Sequence, residues 1–175
     1  MDVERPPSRT AFRHERLDHD KPSIRLVQLL PELSHDGLIQ CNIIHTTIDV
    51  SYQCLSYRWG EPSPSGVVLI NHRTCEVRQN LLDFLSMARA NENAPDICWI
   101  DALCIDQMDT AERNHQVAQM GQIYSHATCV HIWLGANGAV APILRTFSNI
   151  ELQHHENFDA SLHGSTAELK SSWVR

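Results

Sequence analysis

The residues best able to do chemistry fall in two short runs. The first is LSYRWGEP, Leu55 to Pro62, where an apolar stretch gives way to Arg58, the bulky Trp59 and a helix-incompatible Gly60-Glu61-Pro62 turn. The second is WIDALCIDQMDTAERNHQV, Trp99 to Val117, which sets Asp101 inside an apolar run and follows it with Asp106, Gln107 and Glu112. A carboxylate in a buried strand is costly unless it meets an Arg, a pair of backbone donors or solvent in a cleft. Arg58 is the natural partner for Asp101. Ser56, Tyr57, Arg58, Trp59, Gly60, Asp101, Asp106 and Gln107 are therefore the candidates for a ligand-binding cleft. The same residues equally suit a structural role, in which Arg58 and Trp59 close a sheet end and Asp101 forms an ion pair with no chemistry. Glu112, three residues after Asp109, suits a helix cap first and catalysis second.

Other chemistries find little support. The chain has eleven histidines and six cysteines, but no CxxC and no helical HxxxH, only loose neighbours such as His126, Cys129 and His131, so no metal site is expected. The seven glycines are dispersed and form no phosphate-cradling loop, and GxSxG is missing.

The elements that must position these residues follow from periodicity. Ile24–Leu30, Leu38–Ile48 and Tyr52–Tyr57 read as strands, and VVLINHRTCEV as a hairpin turning on Asn71 and His72. Leu81, Phe84, Leu85 and Ala88 share one helix face, with Asn80 placed as its cap and an end near Ala90. Ile97–Ile105 reads as a strand buried on both faces, the mark of a parallel sheet. A helix over 110–126 starts at Asp109, CVHIWLG forms another buried strand, and Ala139–Leu152 is a further helix candidate. Helix, strand, helix, strand in succession implies crossovers onto a parallel sheet. The expected fold is thus α/β, with a mostly parallel central sheet flanked by helices and an inserted hairpin. At the carboxyl ends of such strands, where LSYRWGEP and Asp101 fall, ligands gather.

Bulk properties narrow the function classes. A chain of 175 residues, 42% hydrophobic and 20% charged, suits one globular domain. Its formal net charge of -7, with no cluster of basic residues beyond the N-terminal segment, argues against nucleic acid as partner. No apolar run approaches the roughly 20 residues of a membrane span, and the first residues lack a signal sequence's apolar core, so a cytoplasmic location is expected. The cysteines lie in apolar runs and are expected to be reduced core thiols. Residues 1–21 lack apolar periodicity and are expected to form a disordered tail, 22–153 the domain, and 154–175 a polar C-terminal segment.

Three blocks in order, YQCLSYRWG, INHRTCEVRQNL and WIDALCIDQMDTAERNHQVAQMGQIYSHATCVHIWLG, resemble the motifs of the fungal heterokaryon-incompatibility (HET) domain. The likeness covers most of 24–135. Two departures are mild: Asn71-His72 stands where the family usually has Asn-Gly, and Ile105-Asp106-Gln107 where Ile-Asn-Gln is common.

The resemblance implies a module of self/non-self recognition that triggers cell death when genetically different hyphae fuse, and a fold similar to that of TIR domains. TIR-like modules associate with themselves or with related domains, or they hydrolyse NAD. The resemblance therefore implies two functions: association with itself, with other HET- or TIR-like domains or with recognition domains, and, as the alternative, NAD glycohydrolysis with NAD as substrate rather than cofactor. That hydrolysis needs a carboxylate at an oxocarbenium-like ribosyl centre. The family's W-x-x-R-x-W-x-x-Q-E block would supply one well after the WLG strand, and this chain reaches its end at SSWVR, where that block is expected to begin. Glu151 and Glu112 are the weak substitutes within the chain. A truncated, inactive remnant is the third expectation.

Overall fold

The structure is a computed structural model that describes residues 9–63, 65–91, 94–95 and 97–135, together with the backbone of 145–148. It begins with two antiparallel strands, β1 (Ser23–Leu29) and β2 (Gln40–Thr47), in register from Ser23 opposite Thr47 to Leu29 opposite Cys41. The next strand, β3 (Gln53–Tyr57), precedes a hairpin of β4 (Ser65–Ile70) and β5 (Arg73–Arg78). The hairpin turn puts both Asn71 (φ 48°) and His72 (φ 64°) in the left-handed region. Asn tolerates this well; His72 stands where a glycine would be unstrained.

After α1 (Gln79–Arg89) come β6 (Ile97–Trp99), the single-turn α2 (Asp101–Cys104), α3 (Thr110–His126), β7 (Cys129–Trp133) and β8 (Arg145–Ser148). The strands form one sheet in the order β5-β4-β2-β1-β6-β3-β7-β8. The α/β class and the hairpin are as expected. Parallel pairing, however, is confined to β6-β3-β7 and to β2 with β4; β1 runs antiparallel to both its neighbours, β2 and β6.

The core lies on both faces of the sheet. Leu81, Phe84, Leu85 and Ala88 bury the predicted face of α1, and Phe84 meets Trp133 edge-on at 5.9 Å between ring centroids. Trp99 meets Tyr124 of α3 in the same way at 5.6 Å. No disulfide joins the six cysteines, and burial pushes the Cys41 and Cys104 thiols up to about 12, so these two serve as packing groups.

Four expectations need correction. The strand expected over 97–105 stops at Trp99, because the chain turns into α2 and carries Asp101 to the sheet's edge, where its carboxylate finds donors. Asn80 is not the cap of α1: Arg78 occupies that position without a side-chain cap bond, and Asn80 is the second residue of the helix. In the stretch expected to be helical over 139–152, Arg145–Ser148 is instead a strand paired with β7, which supplies an open edge of hydrogen-bonding groups; the rest lies outside the described residues. Residues 9–21 are not a free tail, since Ala11 bridges Thr74 at the edge of β5, Leu17 is buried and His14 Nε2 lies 2.8 Å from the Leu103 carbonyl. Residues 1–8 and 154–175 lie outside the described residues.

Candidate functional site

The parallel trio β6, β3 and β7 ends at Trp99, Tyr57 and Trp133, and the segments that follow these ends form the carboxyl edge of the sheet. From β3 the chain leaves through Arg58 and Trp59 to Gly60, whose φ of 76° permits the turn. Trp59 donates its indole N–H to Asp101 Oδ2 at 2.8 Å, and Asp101 Oδ1 accepts the Ala102 amide at 2.7 Å. The two motif runs therefore meet, but through Trp59. Arg58, the expected partner of Asp101, is exposed; its carbonyl accepts a hydrogen bond from the Asn80 side chain. The reason is alternation: Tyr57 points into the core, so Arg58 points out.

Arg78, at the end of β5, brings a cation to this edge, but onto Trp59 rather than Asp101. Its guanidinium lies over the Trp59 ring, 5.3 Å from the centroid, and donates to the Gly60 carbonyl at 2.6 Å. Asn80 adds a second tie. Besides reaching Arg58, it accepts the Trp133 indole N–H on its carbonyl oxygens, side-chain at 2.9 Å and backbone at 3.1 Å. The first turn of α1 thus fastens the ends of β3 and β7 together. Gly135, at φ 107°, lets the chain leave β7 close to Asn80.

Beneath this edge lies a cavity of about 130 Å³ whose apolar walls, from Tyr57 and Trp59 round to Ala102 and Leu103, are interrupted by Glu76, Arg78 and Gln107. Gln107 donates to the Asp101 carbonyl at 3.1 Å, and Asp106 accepts the Met108 amide at 3.0 Å, so both shape the loop after α2. Ser56 lies within β3, between Leu55 and Tyr57, paired across to Ile132. Burial pushes the Asp101 carboxyl above its ordinary value, and the bonds from Trp59 and Ala102 offset this only in part.

Glu112 does something other than capping. Asp109 alone caps α3, accepting from the Ala111 and Glu112 amides at 2.9 and 3.1 Å. The Glu112 carboxylate faces Arg25 of β1 in a two-pronged pair, Nη1 to Oε1 at 2.5 Å and Nη2 to Oε2 at 2.8 Å, and Oε1 also accepts the Asp106 amide at 2.7 Å. Burial raises the Glu112 carboxyl, but these donors outweigh it and hold the group below its ordinary value. The sequence reading passed over Arg25, although a cation inside the apolar run SIRLVQL is the same signal that singled out Asp101. Arg78 and Asn80 carried no such signal, since exposed ends of strands and helices usually bear polar residues. Glu151 lies outside the described residues. Among the described residues, no group of three or more His, Cys, Asp or Glu is placed to hold a metal ion. No helix among them is long and apolar enough to cross a membrane.

An α/β sheet whose carboxyl edge is built from the YRWG and WID runs is the hallmark expected from the three motif blocks, and the chain belongs to the heterokaryon incompatibility family: residues 52–174 match the family model described as "Heterokaryon incompatibility protein (HET)". A curated relative, "Heterokaryon incompatibility protein 6, OR allele" of Neurospora crassa, is 30% identical over 142 residues, covering 71% of this chain and 21% of the relative. The chain thus spans about a fifth of that relative's length. No solved structure matches the chain.

Proposed function

We propose that this chain acts in fungal incompatibility as an association module, meeting a second copy or a related domain in the cytoplasm on the way to cell death. The family and the relative's name support the incompatibility role. One observation favours association over catalysis: the polar groups at the carboxyl edge are engaged with one another. Asp101 is held by Trp59 and Ala102, Arg78 by Trp59 and Gly60, and Asn80 by Arg58 and Trp133. Glu112, the weak catalytic candidate within reach, is locked on Arg25. The cavity of about 130 Å³ is also well below the roughly 300–1,000 Å³ of small-molecule sites. Such a cluster stiffens a surface rather than turning over a substrate.

A second reading draws on one specific observation. The raised Asp101 carboxyl beside a cavity at the sheet's carboxyl edge is the kind of perturbed group that active sites use. In that reading Arg58, Trp59 and Asp101 belong to a TIR-like NAD glycohydrolase, a likeness that rests on motif order. Incubating the chain with NAD and following nicotinamide release separates the two. Association predicts no release above the protein-free rate, together with a mass that grows with concentration; release abolished by Asp101→Asn supports the hydrolase instead.

A further inference from the structure

The last carbonyls of a helix have no partner within it, and α2 is a single turn that ends on two buried residues, Leu103 and Cys104. Both of their carbonyls are held from outside the helix. His14 Nε2 lies 2.8 Å from the Leu103 carbonyl oxygen, which can only accept, so this nitrogen carries a proton and donates. Arg25 donates to the Cys104 carbonyl at 2.8 Å through Nη1, while its Nη2 meets the Glu15 carbonyl. The N-terminal segment thus reaches α2 directly through His14 and, through Glu15, the cation that holds α2. The segment itself is fastened at points rather than along a face. Thr10 and Phe12 exchange backbone hydrogen bonds with Thr74 of β5 at 3.1 and 2.8 Å, the Phe12 ring meets His14 edge-on at 4.8 Å, and Leu17 is buried. Ala11, Arg13, Glu15 and Arg16 are exposed. So few buried apolar contacts place the segment at the low end of local stability, where it undocks before the sheet opens. At its other end α2 begins with Asp101, whose carboxylate accepts the Trp59 indole N–H, and Ala102 and Leu103 line the cavity at the carboxyl edge. A helix of four residues moves as one body, so whatever fixes its last carbonyls also fixes its first carboxylate.

We propose that residues 9–17 are a strap that regulates the carboxyl edge, with His14 as the positioning residue that couples docking of the strap on β5 to the Asp101–Trp59 clamp. With the strap docked, α2 is satisfied at both ends. With it lifted, the Leu103 carbonyl and the Nη2 group of the buried Arg25 each lose a partner; α2 relieves that cost by shifting, and the shift draws Asp101 away from Trp59. The strap is the two-state element, and the clamp reports its state. This coupling is independent of whether the chain associates.

Hydrogen exchange of the 175-residue chain, read by NMR, tests this. His14→Ala is expected to speed exchange of the Ala102 and Ile105 amides and of the Trp59 indole N–H at least about tenfold, the effect of losing one such hydrogen bond, while the β3 amides bonded to β7 stay unchanged. His14→Gln places an amide nitrogen the same number of bonds from the backbone and should restore the parent rates. Phe12→Pro deletes the amide that donates to Thr74 and leaves α2 untouched. It should reproduce the pattern of His14→Ala, and adding it to His14→Ala should change little further, because both lift the same strap. Faster exchange confined to residues 9–17 in both variants makes the segment a packing element alone and overturns the proposal. A uniform rise that includes β3 and β7 is general destabilisation and overturns it too. Rates that His14→Gln fails to restore remove His14 as the link.

Discussion

Arg25 and Glu112 face each other with side-chain exposures of 0% and 3%, joined by two nearly parallel hydrogen bonds across 87 positions of sequence. The pair ties β1 to the first turn of α3, and Arg25 also donates to the Cys104 carbonyl at 2.8 Å and to the Glu15 carbonyl. One guanidinium thus gathers the strand, the end of α2 and the N-terminal segment. Removing one partner leaves a buried charge alone. Arg25→Ala or Glu112→Ala is expected to lower unfolding stability by about 3–5 kcal/mol, whereas Arg25→Met with Glu112→Leu should recover much of the loss. Urea denaturation of the three variants checks this.

The sheet order makes the first two strands indispensable. β1 and β2 precede the family match at residue 52, yet they lie between β4 and β6, in the middle of the sheet. A fragment covering 48–175 should lack a cooperative thermal transition, since β4 and β6 lose their neighbours. Far-ultraviolet circular dichroism with a melt reads the outcome; a sharp transition close to that of the whole chain would show that the sheet can close without them.

Trp59 and Asp101 offer a direct measure of the edge clamp. Trp59→Phe removes the indole donor and leaves Asp101 buried with the Ala102 amide alone, a change expected to cost about 1–3 kcal/mol. Asp101→Asn keeps an acceptor and removes the burial penalty on charge, so it should be milder, and the double variant should lose less than the sum. Gly60→Ala adds a separate test. Its added Cβ would have room, 3.6 Å from Asn80 Cβ, so the expected loss of about 1–2 kcal/mol is backbone strain at φ 76°.

A pH dependence follows from His131 in β7. Burial lowers its pKa, and its Nδ1 has no hydrogen-bond partner while Nε2 meets Gln53 Oε1. The unfolded chain therefore binds a proton near the ordinary value of about 6.5 before the folded chain does. Stability contributed by the neutral ring is present above that value and declines as pH falls through it towards the lower folded value. His131→Gln should flatten this part of the curve, measured as melting temperature against pH between 7.5 and 5.

The architecture was legible where one face of an element is buried. Leu81, Phe84, Leu85 and Ala88 gave α1 by spacing, and Asp109 gave the start of α3. The site was legible in its members but not its pairing. Asp101 did need a donor, yet the choice between Arg58 and Trp59 is made by strand alternation at Tyr57 and by the position of α2, which apolar composition over 97–105 conceals. The N-terminal segment was illegible because single anchors, Ala11 on Thr74 and Glu15 on Arg25, leave no periodic signature.

The central claim is association, and sedimentation equilibrium of the intact chain from micromolar to near-millimolar concentration tests it most directly. The weight-average mass should rise from that of the 19.9 kDa monomer towards twice that value. A parent chain that stays at 19.9 kDa across the whole range would contradict the account.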